Sequence, residues 1–352
     1  MGAVGSPGRV LLTGWFSFRQ GEVTAGDVLA LESVRSALDA AGLGYDTAWS
    51  EVFRPGALRL DDANPERYSQ LVFVCGPVHG EQVAGLHRRF ASCRRIAVGV
   101  TVIDPADPAV TGFDLVLVRD HGPSTPVRDL ATAAVASARP VVPVTGVILT
   151  CGQGEYGDRR RHEAVTSQIT GWLNLKACAP VPLETRLDIR DWRLCATAEA
   201  FMSVLARLDI VVTTRLHGLA LALTAGVPAL AVDPVAGGGK VTAQARAWRW
   251  PGLVPAEQAA DERRLDVLWD WCLSAAGRQA ARDASGRPHH DLRFQLDALV
   301  AAMGRRRISP SRYARTCHAP ERMKTSEPGS DMALREECAC RYHCGDGCQF
   351  LT

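Results

Sequence analysis

LDIVVTTRLHGLALALTAGVPALAVDP, residues 208–234, decides the fold. Ile210–Thr213 and Ala229–Val232 are short, unbroken apolar runs, the pattern of strands buried on both faces of a parallel sheet. Between them, Leu219–Ala225 has helix length and composition, and Gly226 and Pro228 fall where a helix stop and a strand start belong. The stretch therefore reads as strand–helix–strand.

The same alternation runs outward in both directions. Val10–Thr13, Leu71–Cys75, Arg95–Val100 and Leu115–Val118 read as strands in the first half. Asp27–Ala41 reads as a helix with Val28, Leu31, Val34 and Leu38 on one face. The pattern restarts at Val144–Thr150 after a proline-bearing stretch, Arg139–Pro143, and closes with helices at Leu265–Ala276 and Leu292–Met303. Alternating strands and helices predict an α/β protein of parallel sheets covered on both faces. The restart divides it into residues 1–140, residues 141–304 and an extension, 305–352. That extension has no apolar period and reads as a disordered, Cys-rich tail.

Composition bounds the function. The 352 residues carry 40 Lys and Arg against 38 Asp and Glu, a balance that makes no case for nucleic acid or a membrane surface. No window approaches the roughly 18 apolar residues of a membrane span, and the start of the chain lacks a secretory apolar core. Of 11 cysteines, several sit inside apolar runs (Cys75, Cys195, Cys272), as reduced thiols of a cytoplasmic protein do. The Ala-, Arg- and Gly-rich usage fits a bacterium. Cys338, Cys340, Cys344 and Cys348, with His343, supply enough ligands for tetrahedral zinc, but not in paired CxxC spacing. Zinc site, disulfide pair and free thiols remain open for that cluster, and no metal is expected at the site of reaction.

The candidate chemistry lies where strands end. Thr213-Thr214-Arg215-Leu216-His217-Gly218 passes from strand to helix within three residues. In open α/β sheets such a junction offers unpaired amides and a helix dipole to an anion. Thr213 or Thr214 can cap the helix, Arg215 presents a two-pronged donor, and His217 can exchange a proton near neutral pH. The plain alternative is a capped helix with Arg215 paired to a surface carboxylate. The next strand runs into Asp233-Pro-Val-Ala-Gly-Gly-Gly-Lys240. There Gly238 and Gly239 let backbone approach a ligand and Lys240 adds a mobile charge, although a flexible surface loop would look the same. Two adjacent strand ends, each with a cation, favour an anion pocket. The tryptophans at 248 and 250 read as packing of a domain edge, and His79, His87 and His121 have no spacing that recommends them.

These pieces together resemble the polysaccharide pyruvyl transferase family. Arg-Leu-His, Ala-Gly-Val-Pro and Asp-Pro in residues 208–234 carry the resemblance, with GGGKVTAQA after them. Upstream, DLVLVRDHGPS, with Arg119, Asp120 and Ser124, and GWFSFRQGEVTAGDVL, with its Gly26-Asp27, are similar to the family's earlier landmarks. Two departures stand in the first half: Thr24-Ala25 precede Gly26-Asp27 where the family has an Asn, and Cys75-Gly-Pro77 replaces a glycine run. The resemblance implies two Rossmann-like domains facing a cleft, as in GT-B glycosyltransferases, with the acceptor on the first and the donor on the second. It implies transfer of a pyruvyl group from phosphoenolpyruvate, a donor substrate rather than a cofactor, to hydroxyls of a glycan of the cell envelope as a ketal. Arg215, Lys240, Thr214, Gly238, Gly239 and Arg119 would then bind substrate, and His217 would be the acid. Asp27 or Glu22 would take the hydroxyl proton. Two other readings remain: a nucleotide-sugar glycosyltransferase of the same fold, and a catalytically silent binding protein.

Overall fold

The computed structural model describes residues 8–19, 22–120, 125–134, 142–150, 154–287 and 290–304. Ser124, the linker residues around Pro140 and the tail cysteines Cys338, Cys340, Cys344 and Cys348 lie outside the described residues. The chain divides into two compact units, Met1–Pro140 and Val141–Thr352.

The first unit contains β1 (Val10–Thr13), α1 (Ala25–Ala40), β2 (Tyr45–Thr47), β3 (Gln70–Val74), α2 (Gly80–Arg89), β4 (Arg94–Thr101), α3 (Pro108–Thr111), β5 (Leu115–Asp120) and α4 (Ala131–Ala134). Its sheet is wholly parallel, in the order β2-β1-β3-β4-β5. Successive strand residues serve opposite faces, as the two-residue period requires. Leu71 and Phe73 join one buried cluster with Leu86 and Phe90 of the α2 side, while Val72 and Val74 join the other with Ala30 and Leu31 of α1. Helix α1 starts at Ala25, two residues before the sequence pattern suggests, because Thr24 is its cap.

The second unit contains β6 (Val144–Ile148), α5 (His162–Leu173), β7 (Ala179–Pro182), α6 (Ala198–Leu205), β8 (Ile210–Thr213), α7 (Leu216–Thr224), β9 (Ala229–Val232), α8 (Lys240–Ala247), β10 (Leu253–Val254), α9 (Glu262–Leu273), α10 (Ala275–Ser285) and α11 (His290–Gly304). Its parallel sheet runs β10-β9-β8-β6-β7. Read from the β7 end, this is the strand order of the first unit. The apolar runs of β8 and β9 are fully buried, the environment their composition demands. Strand β7, Ala-Pro-Val-Pro, sits at the sheet edge, where prolines leave no ladder partner unsatisfied. Trp250 is buried, donates to Ala229 O (2.6 Å) and packs against Trp271, so this tryptophan does pack the core.

In such an order the first strand's two neighbours are reached by connections leaving in opposite directions. The crevice between their carboxyl ends is the switch point where α/β sheets bind ligands. It falls between β1 and β3 in one unit and between β6 and β8 in the other. Both units are thus doubly wound, Rossmann-like α/β layers.

Candidate functional site

At the β6/β8 switch point two threonines stitch the strand ends together. Thr213 Oγ1 donates to Ile148 O (2.9 Å) and accepts the amide of Arg215 (2.9 Å). Thr214 Oγ1 accepts the amide of Thr150 (2.8 Å). Both threonines are buried. Neither caps α7, contrary to expectation: the cap position is Arg215, in extended backbone, and no side chain closes the first turn. Thr214 therefore braces the strand end rather than facing a ligand. Helix α7 begins at Leu216, three residues earlier than its apolar pattern indicates, which puts His217 in the first turn beside the uncapped amides. This end of the helix is suited to negative charge.

Gly218 makes that junction possible. A Cβ there would lie 2.2 Å from Thr213 Oγ1 and 3.4 Å from Ile148 Cγ2, so only glycine lets α7 approach β8 this closely.

Arg215 reaches back across the crevice. Its Nε donates to Thr150 Oγ1 (3.1 Å), and Nη1 donates to Glu184 and Thr185 on the loop after β7. The half-buried Arg215–Glu184 ion pair realises the plain alternative of a carboxylate partner, but at the switch point rather than on the open surface. His217 is exposed, and its side chain makes no hydrogen bond among the described residues.

Lys240, the first residue of α8, follows the neighbouring strand at the same edge, and its Nζ lies 3.6 Å from Glu155 Oε1. The glycine loop before it differs from the anion cradle its composition suggests. Gly237 N–H donates to Glu257 (2.7 Å), Gly238 N–H to Val235 O (2.9 Å) and Gly239 N–H to Asp233 (2.7 Å). Asp233, completely buried, also accepts from Val235 (3.0 Å) and Thr242 (2.8 Å). One carboxylate thus fills the amino end of α8, and Gly238 and Gly239 have no amide left for a ligand. The anion-receptive helix end at this edge is that of α7.

Residues 154–161 link the two strand ends. They leave the β6 side and pair with the chain beyond β9: Ala236 N–H donates to Arg159 O (2.8 Å) and Arg161 N–H to Pro234 O (2.9 Å). His162 follows, 1% exposed, with neither ring nitrogen hydrogen-bonded among the described residues. Burial holds its pKa below the ordinary value, and the Arg160 charge adds to the effect. Sequence reasoning passed over His162, Thr150 and Glu184. The Arg159-Arg160-Arg161-His162 run was visible, but nothing in its spacing said that the imidazole turns inward.

In the first unit the expected roles dissolve into structure. Asp27 forms a capping box with Thr24, its Oδ2 accepting from the Thr24 amide (3.1 Å) and hydroxyl (2.7 Å), so the residue expected as a base also closes the start of α1. Glu22 is exposed. Arg119, expected to bind substrate, is held by Asp120 (2.7 Å), by Thr101 (2.8 Å) and by Asp129, which lock the end of β5. His87 is a core histidine, 2.9 Å from Ala109 O and edge-on to Phe113. At the β1/β3 switch point Trp15 donates to Pro77 O (2.9 Å), and its indole lies where a Cβ of Gly76 would be. Cys75, buried, adopts φ +64°, a left-handed conformation costing about 1–3 kcal/mol outside glycine.

Among the described residues no helix is long and apolar enough to cross a membrane, and no group of three His, Cys, Asp or Glu could hold a metal. No curated protein matches the chain. Solved structures similar to it include glycosyltransferases. Spinosyn rhamnosyltransferase SpnG is 14% identical over 82% of this chain and 100% of its own, with a TM-score of 0.28. CalG4, the calicheamicin glycosyltransferase, is 14% identical over 84% and 98%, at 0.29. MurG of Acinetobacter baumannii is 12% identical over 84% and 100%, at 0.30. A family model matches residues 158–234, from the arginine run before α5 to the Asp-Pro after β9, and so includes Glu184, Arg215 and His217. The matched family is polysaccharide pyruvyl transferase, a family of transferases, and the match covers the loop after β7, β8 and α7 on one side of the β6/β8 crevice, while β6 and Thr150 on the other side precede it.

Proposed function

We propose that the protein transfers the pyruvyl group of phosphoenolpyruvate to two hydroxyls of a glycan, forming a ketal at the carboxyl edge of the second sheet. One observation carries this reading: Arg215 and the uncapped first turn of α7 meet at a switch point, with an exposed His217 beside them, inside the stretch that matches the family. A donor bearing a phosphate and a carboxylate suits a guanidinium fork and a row of free amides. Its carboxylate takes the place of Glu184 on Arg215.

The reaction needs a proton on the methylene carbon of the enol as the sugar oxygen bonds to the neighbouring carbon. His217, protonated, supplies it. The first hydroxyl gives up its proton to solvent, from which His217 is reprotonated; the phosphate leaves with its bonding electrons, and a second hydroxyl bonds to the same carbon to close the ketal as its proton passes to the departing phosphate. Donor and two hydroxyls thus become ketal and inorganic phosphate. Lys240, at the same edge, adds positive charge for the departing phosphate.

The test is release of inorganic phosphate from phosphoenolpyruvate in the presence of oligosaccharides, with the ketal identified by mass. Binding of a nucleotide sugar without phosphate release from phosphoenolpyruvate would overturn the reading in favour of a glycosyltransferase.

A further inference from the structure

Of the eight tryptophans, seven are buried or half-buried, and one, Trp192, is 92% exposed. It lies on the connection between β7 and α6, residues 183–197. That connection begins with Glu184 and Thr185, the partners of Arg215.

A freely moving loop would display such a side chain by accident, but this loop is braced. Asp188 N–H donates to Cys195 O (3.2 Å), closing a neck. Asp188 Oδ1 accepts the amide of Arg190 (2.9 Å), and Asp191 Oδ1 accepts the amide of Arg193 (3.1 Å). The Arg193 fork returns to both Asp191 oxygens at 2.9 Å, and Leu194 N–H donates to Asp191 O (2.9 Å). Compact loops of this kind, closed at the neck and ordered by their own side chains, are commonly functional. At the tip, Trp192 and Ile189 (84% exposed) stand in water with charged side chains around them. An ordered loop that leaves an indole in solvent forgoes the gain of burying it, roughly 25 cal/mol per Å² of apolar surface.

We propose that this loop, on the unit that the family resemblance makes the donor side, is an acceptor platform that leads the glycan to the donor, with the Trp192 indole stacking on the C–H face of a sugar ring. The inference rests on the proposed function for the identity of the acceptor. Three observations select a glycan over other occupants. The loop is continuous with the crevice through Glu184 and Thr185, so a chain lying on it leads to Arg215. Trp192 stands seven residues beyond Thr185, within about 25 Å by chain length, a span suited to an extended acceptor rather than a single sugar. One aromatic residue and its aliphatic neighbour offer a few hundred Å² at most, far below the ~800 Å² per partner of a stable protein interface. An indole flanked in the chain by Asp191 and Arg193 sets an apolar face beside charged groups, the mixed surface a carbohydrate presents in return.

The experiment uses the full chain and measures binding of short gluco-, galacto- and manno-oligosaccharides by calorimetry, without donor, for the wild type, Trp192→Ala and Trp192→Phe. The expected result is a loss of roughly tenfold or more in affinity for Trp192→Ala, largely restored in Trp192→Phe, which keeps an aromatic face. Where transfer occurs, the effect falls on the acceptor KM. Equal binding by the wild type and Trp192→Ala overturns the proposal, as does a wild type that binds none of the oligosaccharides. Loss of binding to anionic phospholipid vesicles in Trp192→Ala, with oligosaccharide affinity unchanged, overturns it in favour of a membrane surface. Phosphate release from phosphoenolpyruvate, read separately, tells failure of the platform from failure of the reaction.

Discussion

Arg215, at the cap position of α7, is ion-paired to Glu184, which lies 31 residues earlier on the loop after β7. The pair crosses the β6/β8 crevice and is half-buried, so each charge has lost part of its water and depends on the other. Whatever anion enters the crevice must compete with Glu184 for the guanidinium. Arg215→Ala is therefore expected to weaken phosphoenolpyruvate binding about ten- to a hundred-fold, the range of a charge-assisted hydrogen bond of about 1.5–3 kcal/mol. Glu184→Gln keeps an acceptor for Arg215 while removing the competing charge, and should tighten donor binding several-fold. Calorimetric titration with phosphoenolpyruvate checks both signs. Weaker binding in both variants would mean that Glu184 orients Arg215 rather than competing for it.

The His217 side chain makes no hydrogen bond or ion pair with the described groups that hold the crevice together, so its removal should leave the site intact. His217→Ala is expected to lower phosphate release by on the order of 100-fold or more, the usual contribution of a general acid, with donor affinity changed less than about threefold. Single-turnover phosphate release beside equilibrium binding separates the two effects. Normal turnover in this variant would sink the proposed mechanism without touching the fold.

The β8–α7–β9 unit was legible because buried parallel strands are continuous apolar runs and glycine and proline punctuate them. Its most important boundary was not. Arg215-Leu216-His217 holds no capping side chain, so the apolar period alone begins the helix at Leu219. Strand β7 escaped because two prolines in four residues argue against a strand, an argument that fails at an edge. The pairing of Arg215 with Glu184 and the capture of three amides by Asp233 are contacts across the fold. Residue types announced the capacity for each, and only topology chose the partner. Asp27 and Arg119 show the converse, since residue types suited to chemistry are engaged by a helix start and a strand end.

Two glycines in helices of the second unit should respond to alanine with opposite signs. At Gly218 the new methyl would meet Thr213 Oγ1 at 2.2 Å, forcing α7 away from β8, and a loss of about 1–3 kcal/mol is expected. At exposed Gly171, inside α5, nothing lies within 4 Å, and alanine should add about 0.5–1 kcal/mol through helix propensity. Urea unfolding of the two variants measures both. A neutral Gly218→Ala would mean that the α7–β8 approach is looser than the distance implies.

Asp233 accepts three amide hydrogen bonds with no exposed surface, so its carboxylate organises the turn that carries Lys240. Asp233→Ala should cost about 2–4 kcal/mol, because the amides of Val235, Gly239 and Thr242 lose a charged partner together. Asp233→Asn retains one acceptor oxygen and should cost less. The two variants, compared by urea unfolding, are expected to fall in that order. Equal and small losses would show that the turn is held by its backbone alone.

His87 and His162 contribute to the pH dependence of stability between pH 7.5 and pH 5. Burial lowers the pKa of both below the ordinary value of 6.5, with Arg160 adding to the effect at His162 and Arg95 at His87. A depressed imidazole pKa means that the unfolded chain binds a proton before the folded one does. As pH falls through 6.5, the unfolded state gains protons that the folded state refuses, so stability declines until the folded values are reached. Each histidine contributes at most about 1.4 kcal/mol per pH unit in that window. Asp233 and Glu155 near His162, and the hydrogen-bonded Ala109 carbonyl followed by Asp114 at His87, oppose the shift without reversing it. Unfolding free energy measured between pH 7.5 and pH 5 should therefore fall on the acid side, and His162→Gln should flatten the slope. A slope unchanged by His162→Gln would show that the imidazole takes up its proton as readily in the folded protein as in the unfolded chain.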